Sequence, residues 1–157
     1  MDLRAELLGL VDRLAAARVE YAICGGVALA IHGYPRFTKD IDLLVRREDL
    51  ERVVSTVAVL GFTLDAGLLP FDAGGPRARE VRRISKAEGG EVLTLDLLLV
   101  SPVLQGVWRS RGTFEWEGRR VSVVSRAGLI EMKRLTGREQ DLLDARRLES
   151  PRDDPRP

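Results

Sequence analysis

Asp40 and Asp42 lie in the run Thr38-Lys39-Asp40-Ile41-Asp42-Leu43-Leu44-Val45. The run is β-prone, and residues i and i+2 of a strand point to the same face. The two carboxylates would then project side by side, roughly 7 Å apart at Cα. Like charges so placed repel and raise each other's pKa. A divalent cation removes that conflict, and magnesium takes one or two carboxylates together with substrate phosphates. The competing reading is a solvated strand face, salt-bridged to Lys39 or Arg36.

Asp96 adds a third carboxylate within Val92-Leu93-Thr94-Leu95-Asp96-Leu97-Leu98-Leu99-Val100. Alternation places Thr94, Asp96 and Leu98 on one face. An ionised group in so apolar a run is expensive unless it is paired or metal-bound. Two-metal sites use several carboxylates to clamp attacking and leaving oxygens. Asp96 would otherwise mark the wet face of a hairpin strand. Lys133 is the matching cation. On a helical wheel it falls between Leu129 and Ile130, inside an apolar face, and Asp141 shares the stripe of Ala145 and Leu148. The two could meet across facing helices, where Lys133 would contact a triphosphate and Asp141 would orient it. The alternative is a snorkelling lysine. Asp144 is expected to pair with Arg147 on the surface.

These side chains need elements to position them. Leu3, Leu7, Leu10, Leu14 and Ala17 form one stripe of an amphipathic helix over residues 2–17. Residues 20–24 read as a strand that Gly25-Gly26 breaks, with a short helix starting at the glycines and ended by Gly33 and Pro35. Backbone amides at such a junction face anions, and glycines let phosphate approach closely. Residues 41–45 read as a strand, 47–60 as a helix closed by Gly61, 62–65 as a strand and 67–76 as a loop. Residues 79–85 and 91–100 flank a turn at 88–90, and 113–116 and 120–124 flank Gly118, giving two hairpins. Residues 102–109 suit a short helix. Ser125 caps a helix to Thr136 that Gly137 ends, 138–149 form a last helix, and 150–157 are expected to be a disordered tail. The order predicts one α/β (α+β) domain over 1–149, with a mixed twisted sheet, flanking helices and a C-terminal helical pair.

The run from Gly25-Gly26 through His32-Gly33-Tyr34-Pro35-Arg36-Phe37-Thr38 to Asp40-Ile41-Asp42 resembles the signature of the DNA polymerase β-like nucleotidyltransferase superfamily. More closely it resembles the AbiEii-type branch, whose toxin members belong to type IV toxin–antitoxin systems. The likeness reaches Asp96 and continues through Leu129 to Lys133, Gly137-Arg138 and Asp141 to Asp144. It implies a nucleotidyltransferase fold. Gly25, Gly26, Arg36 and Thr38 would bind the nucleotide with Lys133 and Asp141. Asp40, Asp42 and Asp96 would hold two Mg2+ ions, and Asp96 would be the general base. One departure is Gly-Gly where many relatives have Gly-Ser, which removes a hydroxyl contact to phosphate.

The resemblance implies transfer of a nucleoside monophosphate from an NTP to a hydroxyl, at a tRNA 3′ end or on a protein, in a toxin with a cognate antitoxin. An antibiotic nucleotidyltransferase shares the same Gly-Gly to Asp-Ile-Asp layout. A non-catalytic nucleotide-binding partner is the third possibility, although it would have no need to keep Asp40, Asp42, Asp96 and Lys133 together.

A net charge of +1 over 157 residues gives no global case for nucleic acid. The local case is the basic run Arg77, Arg79, Arg82, Arg83 and Lys86, where strand alternation would split Arg82 from Arg79 and Arg83 and favour a solvated face. Arg36 precedes the carboxylate pair and would reach phosphate or stay in solvent. The single cysteine, Cys24, sits in an apolar run, which fits a reducing compartment. Met1 to Glu6 does not read as a signal peptide, and no stretch suits a bilayer. A cytoplasmic location is expected. His32 reads as a structural histidine, and Trp108, Phe114 and Trp116 as core or interface anchors.

Overall fold

The computed structural model describes residues 1–35 and 37–150. Arg36 and the expected tail beyond Ser150 lie outside the described residues. In chain order the α-helices are α1 (Leu3–Ala16), α2 (Gly25–Ile31), α3 (Leu50–Ala58), α4 (Gln105–Arg109), α5 (Arg126–Thr136) and α6 (Glu139–Glu149). The strands are β1 (Ala22–Cys24), β2 (Asp40–Val45), β3 (Leu64–Phe71), β4 (Arg79–Glu88), β5 (Glu91–Leu99), β6 (Gly112–Trp116) and β7 (Arg119–Val123). They form one sheet in the order β3-β4-β5-β2-β1-β7-β6. The β2–β5 and β1–β7 pairs are parallel and the others antiparallel, so the sheet is mixed, as expected.

The turn chemistry explains the hairpins. Glu88 pairs with Glu91 around Gly89 and Gly90, both at positive φ, the geometry of a two-residue type I′ turn. Glu117 and Gly118 serve β6 and β7 in the same way. Gly61, at φ +96°, closes the turn after α3, with the Phe62 amide donating back to the Val57 carbonyl at 3.3 Å. Ser125 caps α5 by accepting from the Gly128 amide, and Gly137 ends it in the left-handed region.

The 67–76 segment differs from expectation. Its first part belongs to β3, despite Gly67 and Pro70. β3 is an edge strand with a bulge between Asp65 and Gly67, and an edge tolerates both features because one side of its ladder has no partner to satisfy.

Two layers of helix flank the sheet. Leu7, Leu10, Val11 and Leu14 of α1 and Val53 and Val57 of α3 are buried against the face that carries Ile41, Leu43, Leu95 and Leu97. Lys86 of β4 reaches Glu6 of α1 at 2.9 Å on that side. The opposite face carries Asp40, Asp42 and Asp96, and α2 and α5 pack there, with α6 against α5. No helix among the described residues is long and apolar enough to cross a membrane.

Candidate active site

Strand register builds the site. β2 sets Asp42 opposite Asp96 and Asp40 opposite Thr94 on β5. β1 sets Cys24 opposite Asp42, and β4 sets Arg83 opposite Asp96. One row across the sheet therefore reads Cys24, Asp42, Asp96, Arg83, and alternation puts Asp40 on the same face. A cleft of about 390 Å³ opens over this row. Its other wall is Lys133 and Thr136 of α5, Arg138 and Asp141.

The glycine turn is fitted to the carboxylate strand. Gly25 has φ +66°, and a Cβ there would lie 2.1 Å from Asp42 Oδ2. A Cβ on Gly26 would lie 2.8 Å from Thr38 Oγ1. Thr38 in turn donates to the Asp40 carbonyl at 3.3 Å. Only a backbone without side chains lets the turn sit this close to Asp42.

Asp42 is where the charges conflict. Burial pushes its carboxyl up to about 7, and neighbouring Asp96 and Asp40 add to the rise against the opposing charges of Lys133 and Arg138. Burial, then Asp42, also drive the Cys24 thiol well above its usual range, so it is no nucleophile.

Lys133 is buried and faces two acids on α6. Its Nζ lies 3.1 Å from Asp144 Oδ2 and 3.6 Å from Asp141 Oδ1. The snorkelling alternative does not describe this ammonium. Asp144 corrects the sequence expectation of a surface pair with Arg147. It is fully buried, bound by Lys133 and by Gln140 Nε2 at 2.9 Å. The α6 stripe of Asp141, Ala145 and Leu148 takes in Asp144 as well, because the helix packs that whole arc against α5. Burial pushes Asp141 up, but hydrogen bonds from Arg138 (2.8 Å) and Thr136 (2.7 Å) and the charge of Lys133 bring it below its usual range.

Arg83 is the residue that sequence reasoning missed. Its Nε donates to Asp96 Oδ1 at 2.8 Å and its Nη2 to Oδ2 at 3.0 Å. The available signal was alternation in the second strand of a hairpin, which places Arg83 on the same face as Asp96. Three more residues of the basic run are neutralised within the fold. Arg79 pairs with Asp72, Arg82 with Asp65 and Glu51, and Lys86 with Glu6 and Glu88. His32 lies against the Val124 carbonyl at 2.8 Å and edge-on to Phe114, a structural role as expected.

The donor set fits a hard divalent cation. The carboxylates of Asp40 and Asp42 have no hydrogen-bond partner among the described residues, whereas Arg83 engages both oxygens of Asp96. No group of three acidic, histidine or cysteine side chains among the described residues is arranged to hold a metal by itself. Asp40 and Asp42 could hold a hard divalent cation together with oxygens from a bound substrate.

No family model matches the chain, and no curated protein matches it by sequence. Solved structures match its fold. The lincosamide antibiotic adenylyltransferase LnuA, solved with lincomycin bound, gives a TM-score of 0.59 at 15% identity over 93% of this chain and 96% of that one. A Thermotoga maritima protein assigned to the nucleotidyltransferases gives 0.62 at 16% identity over 92% and 90%. The antibiotic-resistance factor ANT(2'')-Ia gives 0.60 at 17% identity over 92% and 80%. The shared architecture is the nucleotidyltransferase fold.

Proposed function

We propose that the chain is a magnesium-dependent nucleotidyltransferase that moves a nucleoside monophosphate from an NTP to an acceptor hydroxyl and releases pyrophosphate. The observation that carries this reading is the cross-strand pairing of Asp42 with Asp96, with Asp40 on the same face and buried Lys133 across the cleft. Asp40 and Asp42 would hold magnesium, with Asp96 joining them. Bound magnesium supplies charge neutralisation on the transferring phosphoryl group. Gly25, Gly26 and Thr38 would line the β- and γ-phosphates. The acceptor oxygen attacks the α-phosphorus, its proton passes to Asp96, and the bond to the bridging oxygen of pyrophosphate breaks. Lys133, oriented by Asp141 and Asp144, would offset the charge that develops on the leaving group.

Two observations favour a small hydroxylated molecule as acceptor. Four of the five basic residues of the run are engaged in internal ion pairs, which leaves little track for a nucleic-acid backbone there. LnuA was solved with lincomycin, and ANT(2'')-Ia with adenylyl-2''-tobramycin. The second reading is a toxin-like enzyme that modifies a tRNA 3′ end or a protein hydroxyl and is neutralised by an antitoxin. The resemblance of Gly25 to Leu43 to the AbiEii-type branch supports it. A panel of α-labelled NTPs with Mg2+ tests both, against hydroxylated antibiotics in one set and total tRNA and cell lysate in the other. Label on an antibiotic favours the first reading, and label on tRNA or protein the second. Nucleotide binding with no label transferred would leave the non-catalytic partner.

A further inference from the structure

The three carboxylates of the cleft are not equivalent. Among the described residues Asp40 and Asp42 carry open oxygens, while both oxygens of Asp96 are held by one guanidinium in a two-pronged pair. The pair is set by the fold, because β4 and β5 place Arg83 and Asp96 directly opposite each other. It is also asymmetric in exposure. The Asp96 side chain is 13% exposed and the Arg83 side chain 45%. Arg83 can therefore withdraw into solvent along its own stem, whereas Asp96 stays in the row beside Asp42.

We propose that Arg83 is a positioning residue that keeps Asp96 out of cation binding in the free protein, so that the third carboxylate becomes available only when the cleft loads. This rests on the reading of Asp40 and Asp42 as cation ligands. A carboxylate with both oxygens in a guanidinium fork is a weaker metal ligand and a weaker base, since half of its lone-pair sites are engaged and its charge is already offset. The guanidinium already supplies the positive charge that a second cation would bring to Asp96, so the two compete for one position. The phosphates of a nucleotide brought in with the cation offer the exposed guanidinium a second anionic partner, and a cation reaching Asp96 takes its place there. Released, Arg83 stands at the cleft rim, within reach of anionic phosphate. The consequence is ordered assembly: Asp96 accepts an acceptor proton only after nucleotide is in place, which guards against futile NTP hydrolysis.

The test is Mn2+ binding without nucleotide, measured by calorimetry at low ionic strength. Wild type is compared with Arg83→Met, Arg83→Lys, Asp96→Asn, the Arg83→Met/Asp96→Asn double variant and Asp42→Asn, each checked by thermal melting. Arg83→Met is expected to bind Mn2+ about tenfold more tightly than wild type, as expected for removal of one competing charge at a partly exposed site. Arg83→Lys, which keeps the charge and loses the fork, should fall between them and carries the test if the methionine variant does not fold. Asp96→Asn alone should change affinity by less than about twofold, and the double variant should lose the gain. An Arg83→Met affinity at or below wild type overturns the proposal, as does a gain that survives in the double variant. If Asp42→Asn binds Mn2+ as wild type does, the cation reading itself fails, and this proposal falls with it.

Discussion

Asp42 on β2 and Asp96 on β5 are register partners in a parallel strand pair, so two carboxylates distant in sequence stand next to each other at the floor of one cleft. Gly25 closes over Asp42 so tightly that a methyl group there would sit 2.1 Å from its carboxylate. The consequences of that crowding are measurable.

The first consequence is a pH dependence. Asp42 titrates near 3.8 when unfolded and at about 7 in the fold, first because of burial and then because of Asp96 and Asp40. Between those values the native state holds the extra proton. The contribution is most favourable below 3.8, is lost as pH rises towards 7, and then stays constant. The full shift sets a ceiling of about 4 kcal/mol, and the partial exposure of the side chain reduces the expected loss to about 1–3 kcal/mol. Urea unfolding in EDTA should show Asp42→Asn to be more stable than wild type at pH 8, with the difference gone near pH 4. Equal stabilities at pH 8 would show that the carboxylates are not in conflict.

The glycine turn gives a graded pair of variants. Gly25→Ala combines positive φ with a collision on Asp42, so it should lose about 2–4 kcal/mol and displace the carboxylate. Gly26→Ala carries no positive-φ penalty, but its Cβ would meet Thr38 Oγ1 at 2.8 Å and Thr38 Cβ at 2.9 Å, so the Thr38 backbone must give way as well. Thermal melting should therefore rank wild type above Gly26→Ala and Gly26→Ala above Gly25→Ala. The reverse order would mean that Gly25 is not packed against Asp42.

The site was legible where local chemistry announces itself. Asp40 and Asp42 share a strand face, and Gly25-Gly26 breaks the strand before them, so spacing alone places them. The two Gly-containing turns fixed both hairpins. Two partnerships were not legible, because they depend on register between elements. The Arg83–Asp96 pair requires that β4 and β5 align at those residues, and Asp144 looked like a surface acid until α6 was seen to bury it against Lys133. β3 was hidden because Gly67 and Pro70 disfavour a strand locally, and only the ladder with β4 makes them acceptable at an edge.

The buried ion pairs of Lys133 predict a non-additive double variant. Lys133→Met withdraws a cation from two acids at most 3% exposed and should cost about 3 kcal/mol. Asp144→Leu should be costly for the same reason. Together, Lys133→Met and Asp144→Leu replace the pair with apolar packing and should recover much of the loss in urea unfolding, while transfer activity stays lost. Additive losses would show that the pair does not act as a unit.

The basic run supplies a control outside the cleft machinery. Arg82 pairs with Asp65 and Glu51 on the face opposite the carboxylates. Arg82→Ala should lower stability by about 1 kcal/mol or less and leave nucleotide transfer within about twofold of wild type. A large loss of transfer to tRNA, specific to that acceptor, would instead restore a nucleic-acid role for the run.

The most direct measurement is nucleotidyl transfer itself. Wild type and Asp42→Asn are incubated with each α-labelled NTP, Mg2+ and the two acceptor sets, and both labelled product and released pyrophosphate are followed. Wild type is expected to label an acceptor with at least one NTP and release pyrophosphate in step, and Asp42→Asn to do neither. No transfer by wild type with any NTP, or equal transfer by Asp42→Asn, would contradict the assignment of Asp40 and Asp42 as the centre of the site.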